Sequence, residues 1–165
     1  MKTAGLISDT HLNACSVRLM DRLAACFASI DMILHAGDIT HPDVLDMLES
    51  LAPVTAVAGN MDTHPLLATL PSRRVLRIED ARVGLIHGWG GSQGIIQRVL
   101  AGFDPGSVDI IVHGHSHAPH VTRTATCLVI NPGSPTDCRG APYPSVAILK
   151  IDGAAAEAEI ISITV

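Results

Sequence analysis

Aromatic side chains are nearly missing from this chain: its 165 residues include one Trp, one Tyr and two Phe, 2% in all. Aliphatic packing must therefore build the core. Charge is sparse as well. Only 16% of residues are charged, the net charge is -5, and no Lys/Arg cluster follows a helical face, so neither a nucleic-acid nor an anionic-membrane surface is expected. No apolar run approaches the roughly 18 residues of a membrane helix. Cys15, Cys26, Cys127 and Cys138 lack CxxC spacing, which argues against a thiolate zinc site and leaves them as small buried or surface thiols. The start, MKTAGLISDTH, meets an Asp where an export signal would still need hydrophobicity, so a soluble, cytoplasmic protein is expected.

What is abundant is aliphatic. Hydrophobic residues make up 47% of the chain, enough for one compact domain over residues 1–165. The runs TAGLIS, SVRLMDRLAACFAS, DMILHA, PDVLDMLESL and PVTAVA alternate strand-like and helix-like patterns, a βαβαβ order that favours a parallel sheet. Val17, Met20, Leu23 and Phe27 recur at helical spacing behind a Ser16 cap, and Pro42 with Asp43 suits a second helix start. RRVLRI and RVGLIHG follow as two strands joined at Glu79 and Asp80, then a helix near Ile95 to Leu100. VDIIVHG, HVTRTA, CLVINPG, SVAILKI and AEAEIISITV complete the strands, with Asp152-Gly153 as a hairpin turn before a last strand reaching the chain's end. The expected class is α/β, with two facing sheets flanked by helices.

Five strand-like runs end in polar residues of one chemical kind. They are Asp9-Thr10-His11, Gly37-Asp38, Gly59-Asn60, His87-Gly88 and His113-Gly114-His115-Ser116-His117. The C-terminal ends of parallel strands share one rim where ligands bind, so these distant residues are expected to surround one site. The neighbouring glycines permit tight turns and close backbone approach. In Asp9-x-His11 and His115-x-His117 the two-residue spacing predicts an extended segment with both side chains on one side.

Carboxylate, amide and imidazole without thiolate suit Mn²⁺, Fe, Zn²⁺, Co²⁺ or Ni²⁺ and are too rich in nitrogen for a Ca²⁺ or Mg²⁺ cage. Asp9, His11, Asp38, Asn60, His87, His115 and His117 exceed the four ligands of one structural zinc. Two ions sharing an Asp would use the surplus.

These five blocks, in this order and together with LHAGDI and NPGS, resemble the calcineurin-like metallophosphoesterases, and most of all the small bacterial and archaeal phosphodiesterase branch. The likeness spans nearly the whole chain. It implies a four-layer α/β/β/α sandwich of two mixed sheets holding two divalent ions, Mn²⁺ first among them. By motif, one ion falls to Asp9, His11, Asp38 and His117, and the other to Asp38, Asn60, His87 and His115, with Asp38 bridging. His113, His120 and His35 are expected to be second-layer, surface and core rings.

The resemblance further implies hydrolysis of a small phosphodiester by a metal-bridging hydroxide, with Asp38, Asn60 and His87 at the reacting centre. One departure bears on the substrate. Many relatives carry a histidine after the Gly-Asn pair, where this chain has Met61, and a thioether cannot protonate a leaving group. Esters with poor leaving groups should therefore be served badly. Asn60, His64, Ser134 and Arg139 are the expected substrate contacts, Asp62 a cap or supporting carboxylate, and Trp89 a packing residue or cleft wall, packing being preferred. Two alternatives stand beside the diesterase: a phosphomonoesterase or nucleotidase of the same fold, and a non-catalytic scaffold like the related retromer subunit. Self-association stays open.

Overall fold

The computed structural model describes residues 1–12 and 16–163, so Cys15 and the final two residues of the expected last strand lie outside it. Ten strands and four helices follow in the order β1 (Lys2–Ile7), α1 (Val17–Cys26), β2 (Met32–His35), α2 (Asp43–Glu49), β3 (Val54–Ala56), α3 (Leu66–Thr69), β4 (Arg73–Ile78), β5 (Ala81–Ile86), α4 (Ile95–Ala101), β6 (Ile110–Val112), β7 (His120–Arg123), β8 (Leu128–Asn131), β9 (Ser145–Asp152) and β10 (Ala155–Ser162). They build two five-stranded sheets, ordered β10-β9-β1-β2-β3 and β4-β5-β6-β8-β7. Each is mixed. In the first, β1, β2 and β3 run parallel, β9 runs antiparallel to β1 and β10 antiparallel to β9; in the second, β5, β6 and β8 run parallel between antiparallel β4 and β7.

Period-2 alternation decides which layer each residue joins. Ala4, Leu6, Leu34, Val83, Leu85, Ile110, Val112, Leu128, Ile130, Ala147 and Leu149 form a buried cluster between the two sheets. The alternate positions Ile7, Ile33 and Val146 meet Leu19, Leu23, Val44, Met47 and Leu66 from α1, α2 and α3. On the far side Ile86, Ile111 and Val129 meet Ile95 and Val99 of α4. Helix, sheet, sheet, helix is thus the layer order expected from the motifs. Each fully buried Leu or Ile removes enough apolar surface to contribute about 1.5–3 kcal/mol.

The scarce aromatics have defined places. The two phenylalanines each lie against a glycine of a β-strand: a Cβ on Gly5 of β1 would sit 2.8 Å from the Phe27 ring, and one on Gly84 of β5 would sit 2.7 Å from the Phe103 ring. A flat ring fits only where the strand has no side chain.

The phase of α1 differs from the expectation. Its buried stripe is Leu19 and Leu23, continued by Phe27, whereas Val17 is 75% exposed. Spacing of four residues keeps those three on one face, and Val17 lies two residues off it. Ser16 does cap the helix, its hydroxyl accepting from the Leu19 N–H at 3.4 Å. Pro42 and Asp43 do open α2, while the β9–β10 hairpin turns one residue later than expected, at Gly153 and Ala154, because Asp152 still pairs with Ala155. Among the described residues no helix is long and apolar enough to cross a membrane.

Candidate metal centre

The ends of β1, β2, β3, β5 and β6 converge where the two sheets meet. Backbone contacts draw the loops together: the Asp9 N–H donates to the Gly37 carbonyl at 2.9 Å, the His11 N–H to the Asp38 carbonyl at 3.2 Å and the Gly114 N–H to the His87 carbonyl at 3.1 Å. The Asp9 carboxylate accepts the His115 N–H at 3.0 Å, across the seam between sheets. Two glycines make this approach possible. A Cβ on Gly59 would overlap the Asp38 carboxylate, and one on Gly114 would lie 2.5 Å from Asp9 Oδ2.

The expected extended geometry of the two x-spaced pairs is not what brings them together. Asp9, His11, Asp38, His115 and His117 all have φ between 43° and 71°. Left-handed backbone is unfavourable for residues with a Cβ and persists only where surroundings over-determine it. Tight left-handed turns, not pleated strand, aim these side chains at a common centre.

At that centre His117 Nε2 is 3.2 Å from Asp9 Oδ1 and 3.2 Å from His11 Nε2. His87 Nε2 is 3.3 Å from Asp38 Oδ2 and 3.1 Å from Asn60 Oδ1, which lies 2.9 Å from His115 Nδ1. Among the described residues, two sets of possible ligand atoms lie within 4.8 Å of one another: Asp9, His11, His117 and Asp9, Asp38, His87. Asp9 is common to both, where the motif assigns the bridging role to Asp38 alone. Asp38 Oδ2 is nonetheless 3.7 Å from His11 Nε2 and 3.3 Å from His87 Nε2, between the two sets.

Backbone carbonyls fix which nitrogen of each ring faces inward. His87 Nδ1 donates to the Ala36 carbonyl at 2.7 Å, His117 Nδ1 to the Asp137 carbonyl at 2.5 Å and His115 Nε2 to the Gly90 carbonyl at 2.6 Å. A carbonyl only accepts, so the outer nitrogen holds the hydrogen and the inner one can present a lone pair. Ligand atoms around one ion at 2.0–2.2 Å stand about 3 Å apart, so the donor set fits divalent metal ions.

Without a cation the cluster holds its charges unevenly. Burial pushes the Asp9 carboxyl up, but the hydrogen bond from His117 and the charge of His87 bring it below the usual value. Burial likewise works against charge on Asp38, and His87 and the Met61 N–H outweigh it. For His87 and His117, burial lowers proton affinity while Asp38 and Asp9 raise it further, leaving both above an ordinary histidine. Burial leaves His11 below. A cation entering here therefore displaces protons.

The remaining expected site residues divide. Asn60 is exposed at the centre's mouth. Arg139 is exposed and pairs through Nε with Asp137 Oδ2 at 3.2 Å, beside the residue that orients His117. Ser134 does not face solvent: it is 1% exposed, and its hydroxyl donates to the Asp9 carbonyl at 2.7 Å while accepting the Asp137 N–H at 2.9 Å. It holds the loop under Asp9 rather than meeting a substrate. His64 is exposed before Pro65, with no hydrogen bond to the centre. Asp62 has the supporting role expected, its buried carboxylate accepting from the N–H groups of Ile39, Thr40 and Gly59 at 2.6–2.7 Å and so tying the loop after β2 to that after β3.

Trp89 is 46% exposed and borders a cavity of about 570 Å³, together with Asn60, His87, Leu67 and Arg73. The preference for packing at Trp89 gives way to the cleft. Leu67 and Arg73 carried no signal beyond their helix and strand patterns, and the contributions of Asp137, Ala36 and Gly90 come from carbonyls, which no sequence pattern marks.

Over residues 1–154 the sequence matches the calcineurin-like phosphoesterase superfamily domain. The chain belongs to that superfamily. A probable metallophosphoesterase of Methanothermobacter thermautotrophicus is 43% identical over 158 residues, covering 95% of this chain and 90% of that protein. Among solved structures, a Vps29 single mutant from Entamoeba histolytica superposes with a TM-score of 0.70 at 25% identity, over 98% of this chain and 99% of its own. A structure described as a novel archaeal phosphodiesterase gives 0.73 at 21% identity, over 96% and 99%. This metallophosphoesterase is a phosphoester hydrolase by family, of a fold that implies divalent metal ions.

Proposed function

We propose that this metallophosphoesterase is a dinuclear phosphodiesterase whose two ions are held by Asp9, His11, Asp38, Asn60, His87, His115 and His117. The observation carrying this reading is the set of carbonyl-anchored imidazoles whose free nitrogens converge on Asp9, Asp38 and Asn60. Two divalent ions there would acidify a water into the attacking nucleophile and neutralise charge on the phosphoryl oxygens. Mn²⁺ heads the candidates, with Fe, Zn²⁺, Ni²⁺ and Co²⁺ sharing the ligand preference.

The protein's own groups do the positioning. Asn60 joins His87 and His115 and fixes their spacing at the mouth. The cavity walled by Trp89, Leu67 and Arg73 offers the substrate's organic group an apolar surface and one cation. Arg139 provides a guanidinium on the opposite side for a phosphate oxygen. Met61 is 51% exposed, and only its backbone N–H touches the cluster, donating to Asp38 at 2.7 Å. With no proton donor at that position, esters whose leaving groups have a low pKa are favoured over alkyl esters.

The test compares an aryl phosphodiester with the matching monoester at saturating Mn²⁺. A larger kcat/KM for the diester is expected. A reversed order makes the protein a phosphomonoesterase, and no turnover of either ester with Mn²⁺, Ni²⁺ or Co²⁺ supports the scaffold reading, which draws on the fold shared with Vps29.

A further inference from the structure

A second pair of imidazoles faces nitrogen to nitrogen away from the strand-end cluster. His113 directly follows β6 and His120 opens β7; their Nε2 atoms are 3.3 Å apart and their ring centroids 5.1 Å apart, with planes at 51°. His113 Nδ1 lies 3.0 Å from the Gly114 carbonyl oxygen, and His120 Nδ1 lies 3.2 Å from that of Ala118. Because a carbonyl only accepts, each Nδ1 must carry the hydrogen. Each neutral ring then turns a bare Nε2 lone pair on the other. Something positive belongs between them.

The spacing identifies it. Two nitrogens bound to one tetrahedral ion at 2.0–2.1 Å stand about 3.3 Å apart. For two rings converging symmetrically on one point, these nitrogen and centroid separations put that point about 2 Å beyond each nitrogen, the usual zinc–imidazole distance. His11 and His117 show nearly the same pair of values, 3.2 and 5.1 Å, where two carboxylates complete the cluster. His113 is completely buried. His120, Ser116 and Gln97 line a cavity of about 240 Å³, so oxygen atoms of water or side chains can fill the remaining positions.

We propose that His113 and His120 form a mononuclear site for a borderline divalent transition-metal ion, zinc being the best match, separate from the ions at the strand ends. Imidazole pairs take Zn²⁺, Ni²⁺ or Cu²⁺ and ignore Ca²⁺ and Mg²⁺. Having two protein ligands, this site binds more weakly than the strand-end cluster. It does not depend on the hydrolase reading.

Equilibrium dialysis of the whole protein against rising ZnCl₂, counting ions per chain, tests this directly. Wild type and His41→Ala, which removes a histidine elsewhere on the surface, should each hold one more zinc than His120→Ala at the same free zinc. Cobalt should give wild type a tetrahedral visible absorption that His120→Ala loses in part. The hydrolytic rate of His120→Ala with the strand-end ions saturating should stay within about twofold of wild type, since His120 touches none of those ligands. Should Ala disturb the start of β7, His120→Gln removes the imidazole while keeping a polar side chain and gives the same readout. Equal zinc counts in wild type and both His120 variants overturn the site and leave a shared proton as the cation between the rings.

Discussion

The two sheets deliver different chemistry to their common edge. Parallel strands β1, β2 and β3 of the first sheet lead into Asp9, Asp38 and Asn60, all oxygen donors, while β5 and β6 of the second lead into His87, His115 and His117, all nitrogen donors. Only His11 crosses that division. Apart from His11 the first edge supplies oxygen alone and the second nitrogen alone, so the full donor set exists only while the sheets keep register across the seam. The hydrogen bonds that hold that register include His115 N–H to Asp9, His87 Nδ1 to the Ala36 carbonyl, Ser8 hydroxyl to the Gly133 carbonyl and Ser134 hydroxyl to the Asp9 carbonyl. A buried aliphatic layer fixes the sheets' spacing, and these polar contacts set the final alignment.

Breaking the oxygen side should have the largest effect. Asp38→Asn keeps an acceptor for the Met61 N–H but removes the charge between His11 and His87. Hydrolysis should fall by about a thousandfold or more with the fold intact, read from kcat/KM and far-ultraviolet circular dichroism. Unchanged hydrolysis would remove the ligand assignment.

Removing the ions tests the seam as a whole. Ions present at about 100 times their dissociation constant stabilise the folded chain by about 2.7 kcal/mol per site. Chelation of both ions, about 5.4 kcal/mol in all, should therefore lower the thermal midpoint by roughly 10–20 °C for a protein of this size, and Mn²⁺ should restore it. Ser134→Ala probes one bond of that seam. It leaves the Asp9 carbonyl with only the longer Thr136 contact at 3.4 Å, which should cost about 1–2 kcal/mol of stability and weaken metal binding roughly tenfold. A Ser134→Ala protein that instead lost only substrate affinity would return Ser134 to the cleft.

Much of this contrast could be read from the sequence, because strand-end Asp, Asn and His residues with adjacent glycines announce both the rim and its donors. The layers followed from alternation, since Leu6, Leu34, Val83 and Leu85 face one way and Ile7, Ile33 and Ile86 the other. What stayed hidden depends on backbone conformation and on carbonyls. The left-handed turns at Asp9 and His115 contradict the extended reading of their spacing, since a sequence does not show which residues are forced out of their preferred backbone region. Ser134 looked like a substrate contact because its hydroxyl is polar, but its burial under Asp9 arises from a loop 125 residues away. Val17 misled for a simpler reason: an apolar residue beside a helical stripe is indistinguishable by type from one within it.

The first sheet does carry one more imidazole, and explaining why it is no donor sharpens the division between the sheets. His35, at the end of β2, is completely buried behind the acids. Its Nδ1 accepts the Gly37 N–H at 3.2 Å, so the hydrogen sits on Nε2 and points to the Thr10 hydroxyl at 3.2 Å. Protonating Nδ1 would set two N–H groups against each other, and burial accordingly pushes this ring down to about 3. The unfolded chain thus binds more protons than the folded one between about pH 6.5 and pH 3, and stability must fall as pH drops through that window. His35→Gln, which can keep both contacts without titrating, should match wild type's pH trend above 7. By pH 5.5 wild type should have lost about 1.4 kcal/mol more than the variant, measured as the difference in urea unfolding free energies. Parallel curves down to pH 5 would mean that His35 accepts a proton while folded, and its exclusion as a neutral, buried ring behind the acids would fail.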